Sequence, residues 1–273
     1  MMKPFVPRQR GFTLLEMVMV IVILGIVGSM VAVFMRRPVD AYFDTARRAA
    51  LSDSADTVVR RMARDIRMAL PNSLRQSSGQ CIEFIPTKTG GRYRAEPNAA
   101  GNGDILDFST TDGSFDMLGA NSPLADQQIA AGDLIAVYNL GIPGADAYAG
   151  DNTAAVTAVG AGALAGETKV SIAAKRFPLA SPGSRFQVIP GNERIVPYVC
   201  TGGKLYRNSN YGYAAASSCP TSGGQLMASG VSCNFVYNGA DLQRNAMVQI
   251  MLDLTSNNET VSLYHEVNVN NTP

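Results

Sequence analysis

From Phe12 to Met35 the chain is apolar at nearly every position, and Glu16 is the only charge in the run. At about 1.5 Å per residue, a helix of this length reaches roughly 36 Å, enough to cross a hydrocarbon core with some tilt. A cleaved secretory signal has a shorter apolar region and a small-residue cleavage site behind it. This run ends at Arg36-Arg37 instead, which argues against such a signal. Beyond it the pattern narrows to one stripe. Leu51, Ala55, Val58, Met62, Ile66 and Ala69 recur at spacings of three and four, as on one face of a helix. Asp44 with Arg48 and Asp56 with Arg60 are spaced as supporting i,i+4 pairs. Pro38 removes one backbone hydrogen bond within the helix, and Pro71 ends it. The expectation is one long helix, membrane-spanning over 12–35 and packed on a head domain over 36–70.

After Pro71 the periodicity falls to two. Val231, Cys233, Phe235 and Tyr237 alternate with polar residues, as do Val248, Ile250, Leu252 and Leu254, and then Val261, Leu263, His265, Val267 and Val269. These runs read as three antiparallel strands of one sheet with one face buried. Shorter strands are expected at Cys81–Ile85, Ile105–Phe108, Leu134–Tyr138, Arg185–Ile189, Arg194–Cys200 and Lys204–Arg207, with one more at Ala154–Val159 in an Ala- and Gly-rich stretch read otherwise as surface loop. A long helix on an antiparallel sheet is an α+β architecture, with the β-rich head over 71–273.

Composition adds a compartment. Net charge is +1, so no global field calls for nucleic acid or anionic membrane. The four cysteines, Cys81, Cys200, Cys219 and Cys233, all follow the apolar run, none in a CxxC spacing. An even count in an exported domain reads as two disulfides, among three connectivities. Cys200–Cys219 closes a Gly-, Ser- and Asn-rich excursion and is the favoured pair, leaving Cys81–Cys233.

The remaining signal is the lone acid. A carboxylate within a membrane-length segment costs several kcal/mol unless it is neutralised, so Glu16 is a functional candidate by default. It sits in the run Arg10-Gly11-Phe12-Thr13-Leu14-Leu15-Glu16, behind a leader carrying Lys3, Arg8 and Arg10. The leader, the glycine, Phe-Thr-Leu-Leu-Glu and the apolar run together resemble the class III signal of type IV pilins and type II secretion pseudopilins. That resemblance implies a leader of residues 1–11, cut by a prepilin peptidase between Gly11 and Phe12, with methylation of the Phe12 amine. It further implies that Glu16 pairs with the N-terminal amine of a neighbouring subunit during assembly. Blocks of the head are similar to larger minor pilins of the mannose-sensitive-haemagglutinin type: Pro71–Arg75, Tyr198–Arg207 and the closing Val269-Asn270-Asn271-Thr272-Pro273. The early part is shared with J-type pseudopilins. Unlike many major pilins, the run from Phe12 to Met35 contains no proline.

Other constellations carry less. Gly25 with Ser29 and Gly28 with Ala32 are small-xxx-small pairs that let membrane helices approach. Arg60, Arg61, Arg64 and Arg67 lie opposite the apolar stripe, interleaved with acids and without aromatic stacking partners, which argues for a solvated or subunit-facing surface over nucleic acid. Asp104, Asp107, Asp112 and Asp116 lack EF-hand spacing and read as turn formers. His265, the one histidine, falls on the apolar side of a strand, and oxidised cysteines are not nucleophiles. With no G-x-S-x-G, H-E-x-x-H or P-loop, the expectation is no enzyme, no metal and no cofactor.

The resemblance implies a minor pilin or pseudopilin held in the inner membrane with a periplasmic head, then incorporated into a fibre. Its partners would be the prepilin peptidase, other pilin subunits and an inner-membrane assembly platform. A tip adhesin reaching a glycan or DNA through the loops of 90–166, and a J-type pseudopilin, are the rival readings.

Overall fold

The computed structural model describes residues 11–273 except 210, 211, 213–216, 218, 221–223, 240–244 and 258. One helix, α1 (Leu14–Arg67), is followed by fourteen strands among the described residues. The chain divides into two units, Met1–Ala50 and Leu51–Pro273.

In the first unit α1 runs without interruption through Pro38. Its apolar side chains are exposed on every side, from Leu14 at 83% to Phe34 at 80%. A helix that is apolar all round belongs in lipid or in the interior of an assembly. Among the described residues it is the one helix long and apolar enough to cross a membrane.

The second unit begins with the last turns of α1. Ala55, Val58, Val59, Met62, Ala63 and Ile66 are buried, with Leu51 partly covered beside them. The predicted stripe is therefore the packing face. Within this unit it runs from Leu51 to Ala69, and in the first unit Val39, Tyr42 and Phe43 are exposed. The helix also stops earlier than Pro71, at Arg67. There Leu70 N–H donates to Ile85 O at 2.7 Å and Thr87 N–H to Met68 O at 2.9 Å, so the backbone leaves the helix for a bridge to the segment after β2.

Three antiparallel sheets complete the unit. The first has β1 (Arg75–Ser78), β2 (Cys81–Phe84), β9 (Val196–Thr201), β10 (Lys204–Arg207) and β11 (Gln225–Ser229), in the order β1-β2-β9-β10-β11. The second is a meander of β12 (Val231–Asn238), β13 (Asn245–Ser256) and β14 (Glu259–Asn270). Both press their apolar faces on α1, through Ile82, Phe84, Val196 and Tyr198 from one and Phe235, Val248, Ile250, Leu252, Val267 and Val269 from the other. The alternation expected for the last three strands thus marks the buried side. Burying each such side chain stabilises by roughly 1.5–3 kcal/mol.

The third sheet is inserted between β2 and β9, which are themselves paired, Phe84 opposite Val196. It contains β3 (Thr89–Arg92), β4 (Asp112–Met117), β5 (Leu134–Ala136), β6 (Thr153–Ala161), β7 (Thr168–Lys175) and β8 (Arg185–Ile189), in the order β3-β8-β5-β6-β7-β4. Its core is separate and aromatic: Phe115 meets Phe186 edge-to-face at 5.2 Å, and Tyr93 and Phe177 are buried nearby. Leu70, Ile85, Ile189 and Ile195 form a third cluster beside the insertion points. Ile105–Phe108 is not a strand. Leu106 instead donates its N–H to Arg94 O at 3.0 Å and turns its side chain into the aromatic core.

The disulfides correct the expected pairing. Cys81 bonds Cys219, and Cys200 bonds Cys233. Loop closure along the sequence is not what decides this; sheet order is. With β2 paired to β9, Cys219 sits beside β2, where Ser217 donates its hydroxyl to Glu83 at 3.0 Å, and its Cα is 6.2 Å from that of Cys81. Cys200 then faces Cys233 of β12 across the α1 core, at 6.0 Å.

Candidate functional site

The start of α1 is built by two residues, Thr13 and Glu16. Thr13 precedes the first helical residue, and its hydroxyl accepts the N–H of Glu16 at 3.3 Å. Glu16 reaches back, and its Oε2 accepts the Thr13 N–H at 2.9 Å and the Thr13 hydroxyl at 3.1 Å. This is a capping box, T-x-x-E, which satisfies N–H groups that every helix leaves unpaired at its N-terminus. The carboxylate also sits where the helix dipole favours negative charge. Glu16 is therefore not bare within its own chain, as composition alone implied. One oxygen is used by Thr13, while Oε1 makes no hydrogen bond among the described residues.

Gly11 and Phe12 precede the cap. A Cβ at Gly11 would meet nothing within 4 Å, so the fold itself does not require glycine there. Phe12 is fully outside any packing. Residues 6–32 match the prokaryotic N-terminal methylation motif. That match supports a type IV pilin-like family, whose members are structural subunits, and it implies processing by a prepilin peptidase and association with other pilins. No curated protein and no solved structure matches the chain.

The motif gives no account of how the head is tied to α1, and the geometry supplies one. Asp65, in the last turn of α1, accepts the Tyr198 hydroxyl and the Arg207 Nε, both at 2.8 Å and both on its Oδ2. Arg207 also donates from its other arm to Glu193 at 2.6 Å. Burial, then the neighbouring Asp65 charge, pushes the Tyr198 hydroxyl well above the ordinary phenol range. Burial works against the Arg207 charge, but Glu193 and Asp65 outweigh it and hold the guanidinium firmly protonated. These side chains come from α1, β9, β10 and the β8–β9 connection, so one cluster clamps four segments. Nothing in the residue pattern marks it in advance, because Asp65 reads as another solvent-facing acid on a basic helix.

The other candidates resolve into structural roles. Arg60 pairs with Asp56 at 2.5 Å, and Asp44 has Arg47 as a partner. Asp107 accepts from Ser109 and Thr110, the arrangement that lowers its pKa, and Asp112 accepts the N–H groups of Asp107 and Gly113. Asp104 accepts the Ser114 hydroxyl at 2.6 Å, while buried Asp116 accepts N–H groups from Asp104 and Ala163. Among the described residues no three acids, histidines or cysteines converge as metal ligands would. Gly25 and Gly28 are open, with nothing within 4 Å of a Cβ at either.

Proposed function

We propose that the chain is a minor pilin or pseudopilin that helps to initiate or cap a type IV fibre of the mannose-sensitive-haemagglutinin kind. Cleavage after Gly11 leaves Phe12 as a methylated N-terminus, and the subunit waits in the inner membrane with its head in the periplasm. It then enters the fibre through the exposed apolar helix. The observation that carries this reading is the methylation motif over residues 6–32, within which Glu16 has one oxygen committed to Thr13 and one open. The open oxygen suits a cation from outside the chain, and a neighbour's Phe12 amine is the group the reading supplies. Pairing a desolvated carboxylate with a cation removes most of its burial cost.

Mass spectrometry of the membrane-extracted protein tests processing directly: the expected mature N-terminus is methylated Phe12, and a retained Met1 rejects the proposal. A deletion strain tests the role, with loss of surface piliation expected and undiminished piliation counting against assembly. A tip adhesin is the second reading, supported by the inserted six-stranded sheet, which places the loops of 90–166 in a layer of their own. Normal piliation with lost attachment would favour it.

A further inference from the structure

The last strand of the chain leaves one side open. β14 is the end strand of its sheet, aligned with β13 in unbroken register from Asn245↔Asn270 to Ser256↔Glu259. Ser256 and Glu259 flank a two-residue connection, and in such hairpins the flanking pair exchanges both of its ladder hydrogen bonds. Odd-numbered residues of β14 therefore bond to β13. Thr260, Ser262, Tyr264, Glu266, Asn268 and Asn270 aim their N–H and C=O groups outward, and none of these meets another backbone group among the described residues. Proteins usually blunt a long open edge with lysine, proline or a bulge. β14 has none of these, and Glu266 is the single charge at its outward positions.

Beside this edge lies a groove of about 590 Å³ between the last turns of α1 and His265 of β14. Arg60, Arg64 and Arg67 line it, with Asp56 holding Arg60. Arg64 and Arg67 make no ion pair among the described residues. His265 is on the inward, helix-facing side of the strand, so a strand added beyond β14 would turn alternate side chains toward the same arginines.

We propose that β14 docks an extended segment of another protein carrying acidic side chains at every second position. Main-chain hydrogen bonds to the six outward residues supply register, and the carboxylates meet Arg64 and Arg67. A second copy of this chain fits less well. Its own β14 would bring Val261, Leu263, His265, Val267 and Val269 to that face, with Glu259 at the turn end as the one carboxylate, instead of a carboxylate at every second position. The proposal goes beyond assembly through the apolar helix and stands on the head alone.

The test uses the full chain in detergent micelles and a fluorescein-labelled peptide of alternating glutamate and threonine. Two control peptides are an alternating lysine–threonine sequence and a block sequence with all glutamates contiguous. The alternating acidic peptide is expected to bind at least about tenfold tighter than either control. Tyr264→Pro deletes one outward N–H without touching the β13 ladder, a position where edge strands tolerate proline. It is expected to weaken binding about tenfold, the loss typical of a main-chain hydrogen bond, while Tyr264→Ala leaves binding nearly unchanged. Arg64→Glu with Arg67→Glu should reverse the preference toward the lysine peptide. Hydrogen exchange on the unaltered chain gives a readout independent of variants: the peptide should protect the amides of Ser262, Tyr264 and Glu266. Equal binding of acidic and basic peptides, or no protection along β14, overturns the proposal. Self-association abolished by Tyr264→Pro without peptide binding assigns the edge to a second copy and equally overturns it. An oligonucleotide that competes through Arg64 and Arg67 but ignores Tyr264→Pro does the same.

Discussion

The Tyr198 hydroxyl donates to Asp65 at 2.8 Å across 133 positions of sequence, tying the final turn of the long helix to a central strand of the head. Arg207 shares the same carboxylate oxygen, so the acid serves two donors at once. Hydrogen bonds to charged groups contribute about 1.5–3 kcal/mol each, and a buried charge left without its partner costs more. Asp65→Ala is therefore expected to destabilise the head by about 2–4 kcal/mol, read as a lower urea midpoint with an unchanged slope. Glu193→Ala should cost less, since Glu193 is more exposed and Arg207 keeps Asp65.

The same pair makes alkaline stability asymmetric. Burial, followed by the Asp65 charge, raises the Tyr198 hydroxyl, so the folded chain holds that proton to higher pH than the unfolded chain does. The stabilisation is complete below the ordinary tyrosine value of about 10 and is lost as pH climbs from there toward the folded value. Burial raises Tyr93 and Tyr237 in the same sense. Between pH 9 and 11 the thermal midpoint should fall, and Tyr198→Phe should fall by less than the unaltered chain. Equal losses would show that Tyr198 takes no part.

Two disulfides with different spans should differ in worth. Cys81–Cys219 spans 138 positions and Cys200–Cys233 spans 33. Loop-entropy arguments give about 5 and about 4 kcal/mol respectively. Replacing each pair by serine should lower stability in that order. Peptide mapping without reductant should recover the Cys81–Cys219 and Cys200–Cys233 fragments, and a Cys200–Cys219 fragment would contradict the fold around β2 and β9.

Capping and charge at Glu16 can be separated chemically. Glutamine at this position still completes a capping box with Thr13 but carries no charge. Glu16→Gln is expected to keep the helix start ordered, seen as amide protection at Thr13, residue 16 and Met17, while incorporation into fibres drops sharply. Thr13→Ala should do the opposite, fraying the first turn at a cost of about 1 kcal/mol and leaving incorporation largely intact. Unimpaired assembly of the glutamine variant would assign Glu16 to capping alone.

Where side chains alternate on one buried face, as in β12, β13 and β14, the pattern alone placed both the strands and their inward sides. The helix stripe from Ala55 to Ile66 was equally legible, because a period near 3.6 has no other use in a water-soluble segment. The six-stranded layer was legible by half: β5, β6 and β8 fall on expected strands, whereas β3, β4 and β7 do not. β3 reads Thr-Gly-Gly-Arg, a turn by composition, yet its glycines serve close packing: a Cβ at Gly90 would meet Phe186 O at 2.8 Å. β4 opens Asp-Gly-Ser and looks like loop for the same reason. β1 and β11 are too polar and too exposed to alternate visibly. The Thr13 cap does carry a sequence signal, since Thr-x-x-Glu before an apolar run is a known helix start. The disulfide pairing does not, because it depends on which strands are neighbours.

The six-stranded layer leaves the chain at β2 and returns at β9, and those two strands lie side by side. An excursion whose exit and return are adjacent can lengthen, shorten or change its surface without shifting the elements that grip the helix. The protein thus carries its outward display on a layer with its own aromatic core, joined to the anchoring part through the cluster of Leu70, Ile85, Ile189 and Ile195.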